Sequence, residues 1–255
     1  MMEWNNSALT ALQMCGERFR RRYIECEPEA PSPSMIRGST VHAVAKVALR
    51  RKLGGQPNTA LPTLEEARDL AATDFEERWG AQEIRLVPDD EEDGASALAQ
   101  AKADSKDFAI ALSGYHVTEL APRLRPVAVE RKIIVKPKDS DLVIHGTLDV
   151  VTQPEPSALF EPHVAMAAAD EQRAVLDTIR DLKTSTKSPS RDTADKSQQL
   201  SMYALVRAAE TGAMAERLAL DYLVRTPKRG DLKSIELSTT RDATDIGALV
   251  ARINA

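Results

Sequence analysis

The sequence predicts an α/β chain of the α+β kind, with a helical N-terminal portion followed by a sheet-bearing core. Three observations predict it. Apolar residues recur at three-to-four spacing through about Tyr115, the period falls to two after Pro126, and strand-like and helix-like stretches then alternate to the end. At 255 residues, 42% hydrophobic and 29% charged, the chain is ordinary globular material and close to the size at which single cores stop growing. Residues 1–255 are therefore read as one domain. Helices within 7–53 complete a core spanning 126–255, and 63–115 forms a helical acidic insert.

Ser7 is placed to cap a first helix whose apolar positions Ala8, Ala11, Leu12, Cys15 and Phe19 share one side. Pro28, Pro31 and Pro33 interrupt the chain. Gly38 then leads into a helix with Val41, Ala45, Ala48 and Leu49 on one face and His42 beside them. The segment from Gly54 to Pro62 is read as loop. Thr63 and Glu66 form a capping box for a helix carrying Leu64, Ala67, Ala71, Phe75 and Trp79. Asp89 to Gly94 is an acidic linker, and Ala97 to Tyr115 is helical through Leu98, Ala101, Phe108 and Leu112. Val127, Val129, Ile133 and Val135 alternate with polar residues, and Leu142 to Val151 follows as the second strand of a hairpin. Residues 153–173 are a long connection. Val175 to Lys183 is a strand, Thr193 to Ala209 a helix, Leu218 to Val224 an apolar strand with Ile235 and Leu237 in an edge partner, and Asp242 to Ile253 a closing helix.

Between Glu65 and Asp107 stand 14 acids and 5 bases, a local −9 that more than accounts for the overall −5. The rest carries 29 bases against 25 acids. Basic clusters stand at Arg18, Arg20, Arg21 and Arg22, at Arg131, Lys132, Lys136 and Lys138, and at Arg225, Lys228 and Arg229. A local basic face suffices to hold phosphates, so the acidic balance does not exclude DNA. No apolar run approaches the roughly 20 residues of a spanning helix, so no membrane is expected. The N-terminus lacks the basic start and apolar stretch of a secretory signal, and with only two cysteines a reducing cytoplasm is the expected compartment.

The strongest local signal is Asp181-Leu182-Lys183 at a strand end. Residues two apart on a strand share a face, so Asp181 and Lys183 emerge together while Leu182 enters the core. In the neighbouring strand His145-Gly146-Thr147-Leu148-Asp149 supplies a second carboxylate. Two converging carboxylates repel unless a cation lies between them, and oxygen ligands suit Mg²⁺ or Mn²⁺. Lys183 then orients or deprotonates a water, or offsets charge on a phosphate. Alone, an Asp-x-Lys pair more often describes a surface ion pair, and His42 alone more often describes a packing histidine. Gln199 and Tyr203, four apart, lie on one helix face.

In order the chain reads Gly38-x-x-x-His42, Glu130, Gly146-x-x-Asp149, Asp181-x-Lys183 and Gln199-x-x-x-Tyr203. This succession resembles the PD-(D/E)XK nuclease superfamily, in particular the RecB-like branch that includes the AddB nuclease domain, the CRISPR-associated adaptation nucleases and many bacteriophage exonucleases. The resemblance extends to Ser7, Leu9, Cys15 and Phe19 at the start. It implies a restriction-endonuclease-like core, a central mixed sheet flanked by helices. It also implies a metal-dependent deoxyribonuclease, an exonuclease acting on single-stranded or duplex DNA ends in recombination, repair or phage DNA metabolism in a prokaryotic or phage-infected cell, alongside a recombination or replication partner protein. His42, Asp149, Asp181 and the Leu182 carbonyl would hold Mg²⁺ or Mn²⁺. Asp149, Asp181 and Lys183 would be catalytic, and Glu130, Gln199 and Tyr203 would contact DNA or brace the site.

The chain departs from the family's pattern in two places. Asp149 and Asp181 lie 32 residues apart, longer than the family's tight hairpin, and leave Asp177 as a competing carboxylate, over which Asp181 is preferred because only it has a lysine two residues on. Many relatives carry an iron-sulfur cluster on one N-terminal and three C-terminal cysteines. Here only Cys15 matches, Cys26 is not placed as a partner, and either this member lacks the cluster or the cysteine-bearing tail lies outside the sequence. For this chain no cluster is expected, and Cys15 is expected to be a buried structural thiol. No phosphate-binding Gly-rich loop, dinucleotide fingerprint, nucleophile elbow or zinc-spaced cysteine pair occurs. The non-catalytic alternative is a nuclease-fold DNA-binding or assembly subunit whose acidic insert docks a basic partner.

Overall fold

Alternating apolar positions produce the sheet, and the long stretches of helical period cover its two faces. The computed structural model describes residues 3–86, 94–136, 143–153, 177–226 and 230–254. Lys138, Lys228, Arg229, most of the 89–94 linker and nearly all of the 153–173 connection lie outside the described residues. The strands are β1 (Glu3–Trp4), β2 (Pro126–Val135), β3 (Val143–Thr152), β4 (Thr178–Ser185), β5 (Arg217–Arg225) and β6 (Leu232–Thr239). The helices are α1 (Asn6–Met14), α2 (Gly16–Phe19), α3 (Pro33–Arg51), α4 (Leu64–Gly80), α5 (Gly94–Tyr115), α6 (Gln198–Thr211) and α7 (Ala243–Asn254).

The six strands form one mixed sheet. β2 and β3 make the expected antiparallel hairpin, from Pro126↔Thr152 to Val135↔Ile144. The opposite edge of β3 carries β1 in parallel at Val143–Ile144 and β4 antiparallel at Val150–Thr152. β4 runs parallel to β5, with α6 in the connection, and β6 closes the edge antiparallel to β5. One face packs Leu148, Ile179, Leu218 and Leu220 against α1, α6 and α7. The other packs Val150, Leu182 and Leu223 against α3, α4 and α5, where Phe75 and Leu112 are fully buried. Truncating Phe75 to alanine in such a core costs about 3–5 kcal/mol. Among the described residues no helix is long and apolar enough to cross a membrane.

Several boundaries differ from the sequence expectation for local reasons. The first helix is two helices, because Cys15 is extended (φ −164°, ψ 112°), with its N–H donating to the Ala11 carbonyl and its own carbonyl accepting from Phe19. Asn5, not Ser7, caps it by accepting the Ala8 N–H at 2.8 Å. Cys15 is exposed at this break, which corrects the expectation of a buried thiol. α3 starts five residues before Gly38, where Ser32 accepts the Met35 N–H and Pro33 takes the first helical position that its missing N–H suits. α6 starts at Gln198 rather than Thr193, because the Ser197 side chain caps Leu200 and the preceding residues form turns. The Thr63 cap on Glu66 is present as expected.

The arginine cluster at 18–22 is not a free cationic face. Arg18 and Arg22 pair with Glu29, Arg20 with Glu17 and Glu25, and Arg21 with Glu27. The acidic residues that follow fold back on it, so its charge is largely spent within the segment. Arg131 pairs with Glu210, and Arg225 with Asp107.

Candidate active site

The β3–β4 ladder covers three residue pairs and stops at Val150↔Arg180, one pair short of Asp149 and Asp181. Beyond that point Leu182 N–H no longer meets a backbone carbonyl of β3. It donates instead to Asp149 Oδ2 at 3.0 Å. The two strands therefore part where both carboxylates sit, and this splay creates the site.

α3 closes the site from one face. His42 Nδ1 lies 3.3 Å from Asp149 Oδ2 and the ring also meets the Leu182 backbone. Gly38, one turn earlier, faces β4. A Cβ there would stand 3.4 Å from Thr184 Oγ1 of β4, in van der Waals contact with the strand. Burial is the main influence on His42 and pushes its pKa below the ordinary histidine value, leaving a neutral imidazole at neutral pH.

α6 closes the site from the other face. A Cβ on Gly146 would come within 3.3 Å of Val206 and 3.7 Å of the Tyr203 ring, so this glycine lets α6 sit down on β3. Gln199 and Tyr203 then reach Asp181 together. Gln199 Nε2 donates to Asp181 Oδ1 at 2.7 Å and to Tyr203 Oη at 2.7 Å, while Tyr203 Oη donates to Asp181 Oδ1 at 3.0 Å. Lys183 Nζ donates to Gln199 Oε1 at 2.6 Å and lies 2.7 Å from Asp181 Oδ2. That last contact is an ion pair without hydrogen-bond alignment, so Asp181 Oδ2 is buried and lacks a hydrogen bond. Burial first, and the Asp181 charge second, push the tyrosine hydroxyl far above its usual range.

Glu130 lies between the pairs Val129↔Val150 and Arg131↔Leu148 of the hairpin, opposite Asp149. Its φ of +54° is uncommon for a residue with a side chain and costs of order 1–3 kcal/mol. It pairs with Lys46 at 3.5 Å. Lys46 was not singled out from the sequence, although it stands four residues after His42 and so on the same helix face. Asp177, the competing carboxylate, is away from the site and bound to Arg207 at 2.9 Å. An open cleft of about 690 Å³ leads to the site, walled by Gly38, Ser39 and Lys46 on one side and by Lys183 and Thr184 on the other.

Asp149 is pushed up to about 8, by burial above all and then by the charge of Asp181, against the Leu182 N–H and Lys183. A buried carboxylate pair of this kind is relieved by a cation. The donor set of one neutral imidazole, two carboxylates and a backbone carbonyl suits a small divalent ion. As they stand, no three His, Cys, Asp or Glu side chains among the described residues are gathered tightly enough to hold a metal, and Asp181 is engaged by Gln199, Tyr203 and Lys183. The orphaned Asp181 Oδ2 and the strained Asp149 are the features that fit one.

Residues 3–160 match the family model of the PD-(D/E)XK nuclease superfamily. No curated protein matches the chain. A solved structure described as the crystal structure of SSO0001 is similar, at 16% identity over 75% of this chain and 83% of that one, with a TM-score of 0.28.

Proposed function

The chain belongs to the PD-(D/E)XK nuclease superfamily, and from that membership we propose that it is a metal-dependent deoxyribonuclease hydrolysing phosphodiester bonds. The observation that carries the reading is the meeting of Asp149, Asp181 and Lys183 where β3 and β4 part, with His42 delivered to the same point by α3. Asp149, Asp181, His42 and the Leu182 carbonyl would hold Mg²⁺ or Mn²⁺. A bound divalent ion lowers the pKa of its water and offsets charge on the phosphate.

The chain's own groups do the rest. Neutral His42 offers a lone pair rather than a competing positive charge. Gln199 and Tyr203 fix the orientation of Asp181 by binding Oδ1, while Oδ2 faces the Lys183 ammonium. Lys183, anchored on Gln199, keeps an ammonium beside the carboxylate where a water or a phosphate oxygen would lie. Glu130 and Lys46 stand at the rim, and their weak 3.5 Å contact leaves Lys46 able to turn to a phosphate. We read the enzyme further as a RecB-like exonuclease acting on DNA ends in recombination, repair or phage DNA metabolism, on the support of the His42, Gln199 and Tyr203 positions.

The test is incubation with linear and covalently closed DNA in Mg²⁺, Mn²⁺ or EDTA. Metal-dependent release of nucleotides from linear DNA alone supports the exonuclease reading, and nicking of closed circles would replace it with an endonuclease. Binding of DNA without cleavage in either metal would favour the non-catalytic subunit.

A further inference from the structure

Behind the site, away from the cleft, His116 is buried to 1% exposure. It opens a π-helical turn, His116–Leu120, at the end of α5, a distortion that often accompanies functional sites. Its Nδ1 is fully enclosed and no described residue hydrogen-bonds to it. Burial drives its pKa down to about 4, so the ring is neutral and has one donor and one acceptor to satisfy. An orphaned buried nitrogen of this kind is destabilising unless a partner is supplied.

The ring faces a small, partly open cavity of about 20 Å³, shared with His42, Glu130, Asp149 and Asp221. A volume of this size holds one water and little more, since about 10–15 Å³ is the minimum for one, and an internal water needs two to four polar partners. Of the three acids, Asp221 has a strong partner and Glu130 a weak one. Arg180 binds both oxygens of Asp221, at 3.0 and 3.2 Å, and Glu130 is drawn to Lys46. Asp149 takes the Leu182 N–H on Oδ2, and no hydrogen bond from a described residue reaches its other oxygen.

We propose that this cavity is a built site for one structural water bridging His116 to Asp149, which makes His116 a positioning residue for the Asp149–His42 pair. The proposal rests on the reading of that pair as part of a metal site. The water holds the Asp149 carboxylate from behind, as outer partners of ligating groups do, and losing such a partner costs about 10–100-fold in metal affinity. No feature of the sequence marks His116, because its role depends on enclosure by α3 and β3.

The experiment pairs a high-resolution crystal structure of the metal-free protein with Mn²⁺ titration of wild type, His116→Leu and His116→Asn. Expected are a single density peak within hydrogen-bond distance of His116 and Asp149, about tenfold weaker Mn²⁺ binding by a folded His116→Leu chain, and recovery in His116→Asn, whose amide can hold the water. A dry cavity in the wild type would overturn the proposal, as would unchanged Mn²⁺ affinity in His116→Leu. Stronger binding by the leucine variant than by the asparagine variant would also overturn it, since a packing role favours the apolar side chain. Should His116→Leu fail to fold, the wild-type density decides alone. A wild-type chain that binds no Mn²⁺ would sink the nuclease reading, while the density would still decide the water.

Discussion

Replacing Asp149 with asparagine should stabilise the metal-free protein while destroying its metal site. The substitution keeps the acceptor for Leu182 N–H and removes a buried carboxyl whose ionisation is opposed by burial and by the charge of Asp181. An unfolded aspartate ionises near pH 4, whereas in the folded chain Asp149 does so near about 8. The folded state thus retains a proton that the unfolded state has released. The stability tied to this group is intact below about pH 4 and is lost as pH rises toward the folded value, by at most about 1.4 kcal/mol per pH unit. At pH 7 the ceiling is roughly 4 kcal/mol, and the 20% solvent exposure of the side chain together with relaxation of its neighbours brings this to about 2 kcal/mol. For a domain of this length that is about 4–8 °C in melting temperature. The assay is thermal unfolding in EDTA across pH 5 to 8, repeated with Mn²⁺. Asp149→Asn should melt higher than wild type at pH 7 in EDTA, the gap should shrink by more than half at pH 5, and Mn²⁺ should raise only the wild type. A variant that melts lower at pH 7, or a gap independent of pH, would show that Asp149 is not held protonated by burial.

Lys183→Ala should lower single-turnover cleavage by about 10² to 10³-fold with DNA affinity nearly unchanged, because an ammonium acting on developing charge contributes mostly in the transition state; a full-speed variant would return Lys183 to a simple ion pair with Asp181. His42→Ala should weaken binding of Mn²⁺ more than of Mg²⁺, since an imidazole is the better ligand for the former, and calorimetric titration with the two ions checks it. DNA affinity should fall steeply with salt, by about 0.9 in log affinity per log salt for each phosphate contact on duplex. Neutralising Arg21, already paired with Glu27, should leave that slope unchanged. Gly146→Ala should destabilise by about 1–3 kcal/mol through overpacking against Val206 and Tyr203, with the cost read from chemical denaturation.

Elements that declare themselves locally were legible in the sequence. The capping box at Thr63, the β2–β3 hairpin and the β5–β6 edge all follow from near-neighbour chemistry and from a change of period. So did the spacing of Asp181 and Lys183, because two residues along a strand must share a face. Interactions between distant parts of the chain were not legible. Asp177 and Asp181 are four residues apart and chemically alike, yet Arg207 takes the first while Gln199, Tyr203 and Lys183 gather on the second. The arginines at 18–22 read as an open basic face until Glu17, Glu25, Glu27 and Glu29 are found folded onto them. Cys15 has an apolar residue's place in the helical pattern, but one extended backbone angle turns it to solvent. The sequence by itself determined which side chains could do chemistry and which local elements carry them. Only the tertiary structure decided which ones meet, which are already neutralised and which, like His116, are sealed beside the site, because burial and long-range pairing are properties of the packed chain and leave no periodic mark along it.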